Sequence, residues 1–449
     1  MPLAGDTSGY PDHPYTEGRA LFTPQQLFGE VEPSADVLTH APFLERARSE
    51  HERERDVSAR LALGAYLVSR LVDRLLGRDD TAGAQDGLLW QLDAVRRHLR
   101  ELPGDSPESA HLHGITDSVP IGAEPLAGLR LSLMAYAYFL EHEGRLEEAL
   151  EVLTLAVRTH GADVPVSDFA GSALFAGRLN RMLARWNDAT TCYHSAESAA
   201  AQVEDQVLVL RSRLGMSAVM LGRGNLSEAE RMARAVLARA VELSLPEQEA
   251  MAYHDIGVAL EAQGRRVEGV EAKYQAFLRT GDTLQRMRVL GDLGTGLAEL
   301  GEYSVARMAF EIVAGSKSSF IVRTNAIIEL MELESATGNR LAFERRRAAA
   351  HALQERMPPS MAADFHFKLG VGLARFGQMS RARDILAAGL ALAETHRLNA
   401  WYFRFERVLQ NLDACELREP ALSTPSGPVP SSAVEQMEAG LREYASTAG

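Results

Sequence analysis

The chain repeats itself, and an internal period constrains a fold more than any local motif, because each unit must then pack on the next. The unit reads as a small residue, Gly seven residues later, and another small residue five beyond that. "LGDLGTGLAELGEYSVARMAF" carries it at Gly294, Gly301 and Ala306, and "YHDIGVALEAQGRRVEGVEAKYQAF" at Gly257, Gly264 and Gly269. "HFKLGVGLARFGQMSRARDILAAGL" has Gly370, Gly377 and Ala382. Ala137, Gly144 and Ala149 make a further copy, as do Ser217, Gly224 and Ala229. A degraded copy has Gly177, Ala184 and Ala189, and another keeps only Gly338 clearly. The turn positions fall at 144, 184, 224, 264, 301, 338 and 377, at successive intervals of 40, 40, 40, 37, 37 and 39.

Each unit reads as a helix hairpin. The first small residue belongs in helix A, where two backbones approach too closely for a large side chain. The middle Gly ends helix A in a left-handed conformation that only Gly adopts cheaply. The last small residue sits on helix B facing back into A, and apolar residues at helical spacing (Leu293, Leu297, Ala306, Phe310) fill the rest. The glycines between 291 and 301 also invite comparison with a phosphate-cradling loop. That needs a buried strand upstream, whereas "GDTLQRMRVL" puts polar and basic residues there, and neither Gly-x-Gly-x-x-Gly nor a Gly-Lys-Ser/Thr ending is present. The glycines are steric, not catalytic.

With Leu293-Gly294, Gly301, Ala306 and Phe310 in place, the chain resembles the tetratricopeptide repeat (TPR) family over roughly residues 126 to 412. It departs from the family in a period longer than about 34 residues, a missing helix A tryptophan and a mostly absent closing proline. Such long repeats look like those of bacterial regulatory TPR proteins. The resemblance implies an all-α, right-handed α-solenoid of about seven TPR-like helix hairpins with N-terminal capping helices. It also implies a protein or peptide partner and no cofactor.

Composition agrees. Hydrophobic content of 46% with only 6% aromatic suits Ala/Leu-rich hairpins more than sheets. Two cysteines, Cys192 and Cys415, imply no disulfide framework and fit a cytoplasmic location. The opening residues lack a signal-peptide pattern, and no run of eighteen uncharged apolar residues suggests a membrane span. A formal net charge of −14 argues against direct nucleic-acid binding. The local exception, Arg345, Arg346, Arg347 and Arg356, reads as a solvated helix face.

The flanks differ from the array. Residues 1–42 read as an extended or weakly ordered arm, and 43–125 as capping helices and a loop. Within the latter, "FLERARSEHERERDVSAR" runs into "LALGAYLVSRLVDRLL" as one long helix, Leu88, Leu89, Leu92, Val95 and Leu99 mark a second, and "PGDSPESAHLHGITDSVPIGAEP" reads as a long loop. The solenoid spans 126–412, a Pro/Ser-rich linker 413–432, and a short amphipathic helix 433–449 with Val434, Met437, Leu441 and Tyr444 on one side. That tail could dock in its own groove or on a partner.

Enzyme constellations are weak. His111 and His113 are the only close histidine pair, without the Cys or spaced carboxylates of a metal site. Glu147-Glu148 and Glu332-Glu334 read as helix-surface carboxylates, and Cys192 as a buried small residue on a different helix face from His194. Function is expected instead on the concave face, lined in TPR arrays by helix A residues turned away from helix B. Those are Tyr138 and His142, Arg178 and Arg181, His254, Asp255 and Glu261, Arg288, Asp292 and Thr295, Asn325 and Glu332, Lys368 and Arg375. Their mixed charge suits a peptide or protein better than an apolar ligand, or lets them pair with one another when empty. The family's carboxylate clamp needs Lys and Asn four apart in one helix A, and no repeat has them. The expectation is a non-catalytic, cytoplasmic scaffold. The alternative is a ligand-sensing regulator in which a small peptide or metabolite tightens the superhelix to control a transcription or signalling partner.

Overall fold

The computed structural model describes residues 39–77, 82–120, 125–160, 164–396, 398–413 and 431–447. Of the arm expected over residues 1–42 the first 38 lie outside them, as do Cys415 and most of the Pro/Ser-rich linker, while the end of that arm already belongs to a helix that starts at Ala41. Among the described residues the regular structure is entirely helical. Four helices lead in: α1 (Ala41–Glu52), α2 (Asp56–Leu76), α3 (Ala82–Arg100) and α4 (Pro107–Asp117). Seven hairpins follow, α5 (Ala127–His142) with α6 (Leu146–Arg158), α7 (Val166–Met182) with α8 (Trp186–Gln202), and α9 (Gln206–Gly222) with α10 (Leu226–Glu242). Next come α11 (Pro246–Ala262) with α12 (Arg266–Arg279), α13 (Thr283–Glu299) with α14 (Tyr303–Gly315), α15 (Phe320–Ala336) with α16 (Arg340–His351), and α17 (Pro359–Arg375) with α18 (Met379–Thr395). The chain continues through α19 (Asn399–Asp413) to α20 (Ser431–Thr447).

The turn residues are where the repeat put them. Gly144, Gly224, Gly264, Gly301, Gly338 and Gly377 all have positive φ, and Ala184 takes the same conformation at φ 56°. At each, the following N–H reaches back five residues to a helix carbonyl, as Arg265 does to Leu260 and Glu302 to Leu297, both at 2.9 Å. The long period now has a cause. Helix A is 17 residues in every hairpin after the first, so the change in interval comes from helix B and the turn after it. Two 17-residue helices joined by three-residue turns make the 40-residue intervals from 184 to 224 and from 224 to 264, and helices B of 14 and 13 residues, α12 and α14, shorten the next two to 37.

The small residues are packing positions. A Cβ on Gly294 would stand 2.7 Å from the Phe310 ring, and one on Gly370 would stand 2.5 Å from Leu386. Gly257 and Gly269 back onto each other, a Cβ on Gly257 falling 2.8 Å from the Gly269 carbonyl oxygen. Ala149, Ala189, Ala306 and Ala382, on the facing helices B, are fully buried.

Two expectations in the leading segment are corrected. The charged run and the apolar run do not make one helix. Glu54 adopts φ 58° and the Arg55 N–H bonds the Glu50 carbonyl at 2.9 Å, so α1 and α2 form a hairpin closed like those of the array. The long loop contains α4, which the sequence "SPES" starts: Ser106 accepts from the Ser109 N–H and Pro107 takes the first helical position. Glu108 of α4 then accepts from Arg46 (2.7 Å), Tyr136 (2.8 Å) and Arg145 (2.8 Å), tying it to α1, α5 and the first turn.

The array curls until its start meets its later repeats. Arg356, between α16 and α17, donates to Glu143 of the first turn at 3.2 Å, and Arg55 pairs with Glu355 at 2.7 Å. Gly144 lies directly against Pro358. On the outer side, α20 lays Met437 and Leu441, both buried, against α12 and α14, and the Tyr274 hydroxyl donates to the Gln436 carbonyl at 3.2 Å.

Candidate functional site

The curl makes the inner face a channel lined by the helices A. Many of the residues expected there hold each other from one repeat to the next. Arg178 pairs with Glu141 at 2.7 Å and lies 4.9 Å above the Phe175 ring, on which Tyr138 stacks at 4.3 Å. His254 Nε2 meets Asp292 at 2.8 Å while Nδ1 meets Asp255 at 3.3 Å. Lys368 pairs with Glu329 (2.6 Å) and Asp364 (2.9 Å), and Glu332 with Arg375 (2.8 Å). The Arg181 charge acts on Tyr193 of α8, behind the inner face. Lys273 reaches in from α12, 3% exposed, to pair with Glu261 and to donate to the Asp292 carbonyl at 3.0 Å.

These contacts set protonation. Burial alone would lower the His254 imidazole, but the hydrogen bonds and charges of Asp255 and Asp292 overcome it and raise its pKa to about 9. Burial would raise Asp292, yet the bonded, charged His254 holds its carboxyl below the ordinary value. Lys368 is likewise held above its usual range, Glu329 and Asp364 outweighing its burial. Cys192 is fully buried and its thiol is pushed up to about 12, first by burial and then by Asp188.

Three inner side chains stand outside this pairing. Arg288 and Asn325 are exposed and Arg211 half-buried, and none makes a side-chain hydrogen bond or ion pair among the described residues. Each stands thirteen residues before its turn residue at 224, 301 or 338, the same register position of three helices A. Arg211 was missed in the sequence, as were Glu141 and Glu329, whose importance depends on what stands one repeat away. The period was the signal that could have found Arg211. Two glycines on the inner face, Gly171 at that same position and Gly291, face open space, with nothing within 4 Å of an added Cβ.

The described residues hold no group of three or more His, Cys, Asp and Glu arranged for a metal, and His111 packs instead on the Phe139 ring at 4.9 Å. No described helix is long and apolar enough to cross a membrane. The basic run lies on α16, where Arg346 pairs with Glu311 and Arg347 with Glu344, while Arg345 is exposed.

No protein-family profile matches the sequence, and no curated protein does. Solved structures similar to the chain include the apo form of RapI, with 10% identity, 64% of this chain and 99% of that one covered, and a TM-score of 0.41. A Rap protein complexed with competence and sporulation factor gives 11%, 79% and 98%, and 0.42. A signal transduction ATPase with a tetratricopeptide repeat sensor, from Pyrococcus horikoshii, gives 14%, 85% and 75%, and 0.42. By its recurring unit, its left-handed turn residues and its close-packed hairpins, the chain has a TPR-like fold of repeated helix hairpins.

Proposed function

We propose that the chain is a non-catalytic, cytoplasmic scaffold that takes an extended segment of a protein or peptide along its inner channel. The observation that carries this reading is the unspent set on the inner face. Arg211, Arg288 and Asn325 stay unpaired where their neighbours are locked together, and Gly171 and Gly291 leave room between them. Polar groups spaced along one groove with open floor suit a segment bound by several separate contacts. The cytoplasm is supported by the low cysteine content and the inert, buried Cys192. A second reading, a ligand-sensing regulator, is favoured by one feature. The closure through Arg356 and Glu143 is an exposed ion pair, weak enough for a ligand across the channel to shift.

The test fills the channel without disturbing its walls. Gly171→Trp and Gly291→Trp place a large ring into open space, whereas Leu341→Trp alters a residue already 66% exposed on α16. Peptides selected on the intact chain from a random display library should lose binding to the two glycine variants and keep it to Leu341→Trp. Peptides that bind all three variants equally refute the channel reading.

A further inference from the structure

Arginines from separate repeats face one another across the channel. Arg178 and Arg181 come from α7, Arg211 from α9 and Arg288 from α13, so the last belongs three hairpins beyond the first two. In a straight array they would be far apart, but the curl that seats Pro358 on Gly144 turns α13 toward α5 and α7. The fields then overlap. Arg288 feels the charges of Arg178 and Arg181 together with those of Glu141 and Asp292, and Arg211 feels Arg178.

The carboxylates nearby are already engaged. Glu141 is bonded to Arg178, and Asp255 and Asp292 share His254. Among the described residues, Arg211 and Arg288 are left without a paired anion, and the Nε atoms of Arg178 and Arg181 are buried without a partner. The positive charge of Arg178 bears on the guanidiniums of both Arg211 and Arg288. In a chain of net charge −14, a concentration of positive charge on the inner face of the curl calls for an external anion.

We propose that Arg178, Arg181, Arg211 and Arg288 form a carboxylate-binding site across the channel, and that the segment bound there is acidic. This rests on the channel reading above and adds the chemistry of the partner. Guanidinium groups accept a carboxylate side-on through paired N–H donors, and Arg211 and Arg288 can do so without giving up any existing bond. Tyr138, stacked on Phe175 and 40% exposed beside Arg178, supplies a flat apolar wall for the segment's intervening side chains. The interleaved acids favour a peptide over a nucleic acid. Glu141, Asp255 and Asp292 would repel the continuous charge of a phosphodiester backbone, whereas a peptide can place separate carboxylates on the arginines.

The probe is a fluorescent ten-residue peptide of alternating Glu and Ala, titrated by anisotropy with the full chain. Its Lys/Ala counterpart, a phosphoserine/Ala peptide and a single-stranded oligonucleotide are the comparison arms. The Glu/Ala peptide should bind, weaken as salt rises, and bind more tightly than the other three. Arg211→Gln and Arg288→Gln should each lower its affinity about tenfold or more, and Arg345→Gln on α16 should leave it unchanged. The side chains of Arg211 and Arg288 make no hydrogen bond among the described residues, so the melting temperature of either variant should stay at the wild-type value, which separates lost binding from lost folding. The inference is overturned if the Glu/Ala peptide does not bind, if either Gln variant binds it as the wild type does, or if the phosphopeptide or the oligonucleotide binds more tightly. Library peptides blocked by Gly291→Trp yet indifferent to both Gln variants would overturn it and leave the channel reading intact. Indifference to the tryptophans would defeat the channel reading itself.

Discussion

Gly291 and Gly294 sit three residues apart on α13, and alanine should act on them in opposite directions. Both substitutions return the helix propensity that glycine forfeits, about 1 kcal/mol. At Gly291 nothing lies within 4 Å of the new methyl, so that gain stands alone. At Gly294 the methyl would stand 2.7 Å from Phe310 Cε1 and 3.0 Å from Cδ1 and Cζ. Carbon contacts settle at about 3.5–4.0 Å, so the ring must give by roughly 1 Å. Phe310 is 1% exposed and packed in the core with Leu297 and Ala306. Overpacking of this kind costs about 1–3 kcal/mol, leaving Gly294→Ala neutral to about 2 kcal/mol destabilising. The two alanines should therefore differ by about 1–3 kcal/mol, with Gly294→Leu worse than either. Urea unfolding followed by far-UV circular dichroism reads the difference. Amide exchange across α13 and α14 should accompany it, because a repeat array can lose one unit before the rest. Phe310→Leu should recover part of the Gly294→Ala loss by removing the ring. Equal stabilisation by both alanines would refute the assignment of Gly294 as an A–B contact.

Three further outcomes follow from the contacts described. The His254 imidazole titrates near 9 in the folded chain against about 6.5 unfolded, so its contribution is complete below 6.5 and lost as pH rises through 9; His254→Gln should flatten that decline in a melting series, and an unchanged profile would count against the His254–Asp292 pair. Leu441→Ala removes a fully buried side chain from α20, costing its docking roughly 2–5 kcal/mol, so α20 amides should exchange freely while those of α7 to α11 stay protected; protection of α20 equal to wild type would refute its seat on α12 and α14. Arg356→Glu sets two carboxylates against each other at the closure, and small-angle scattering should show a larger radius of gyration, whereas an unchanged profile would mean the Pro358 contact and the Arg55–Glu355 pair hold the curl without it.

The hairpins were legible because their determinants are local. A left-handed turn residue, a small residue seven before it and another five after it all act within one unit, so the sequence carries them even where Ala184 replaces Gly. The leading segment was less legible for the same physical reason. Glu54 closes the α1–α2 hairpin in a conformation costing a non-glycine residue about 1–2 kcal/mol, and the contacts that compensate come from packing of the two helices, which no residue type announces. In α4 the start signal was present, Ser106 followed by Pro107, but neighbouring prolines and glycines made the stretch read as loop.

The inner face shows where local reading stops. Register alone places Arg288 and Asp292 on the channel side of α13, and from there the two look like equivalent members of one charged surface. The structure separates them: Asp292 is spent on His254, one repeat back, while the Arg288 side chain has no partner among the described residues and meets the fields of Arg178 and Arg181 from α7. Pairing across one repeat could be read from the period, since 254 and 292 lie 38 residues apart, close to one unit. Convergence across three hairpins could not, because it depends on the accumulated curvature of the array, to which every packed hairpin contributes a small angle. The same curvature that brings Arg356 to Glu143 brings Arg288 toward α7. Closure and the arginine cluster are thus one geometric fact, and a change that loosens the first must also disperse the second.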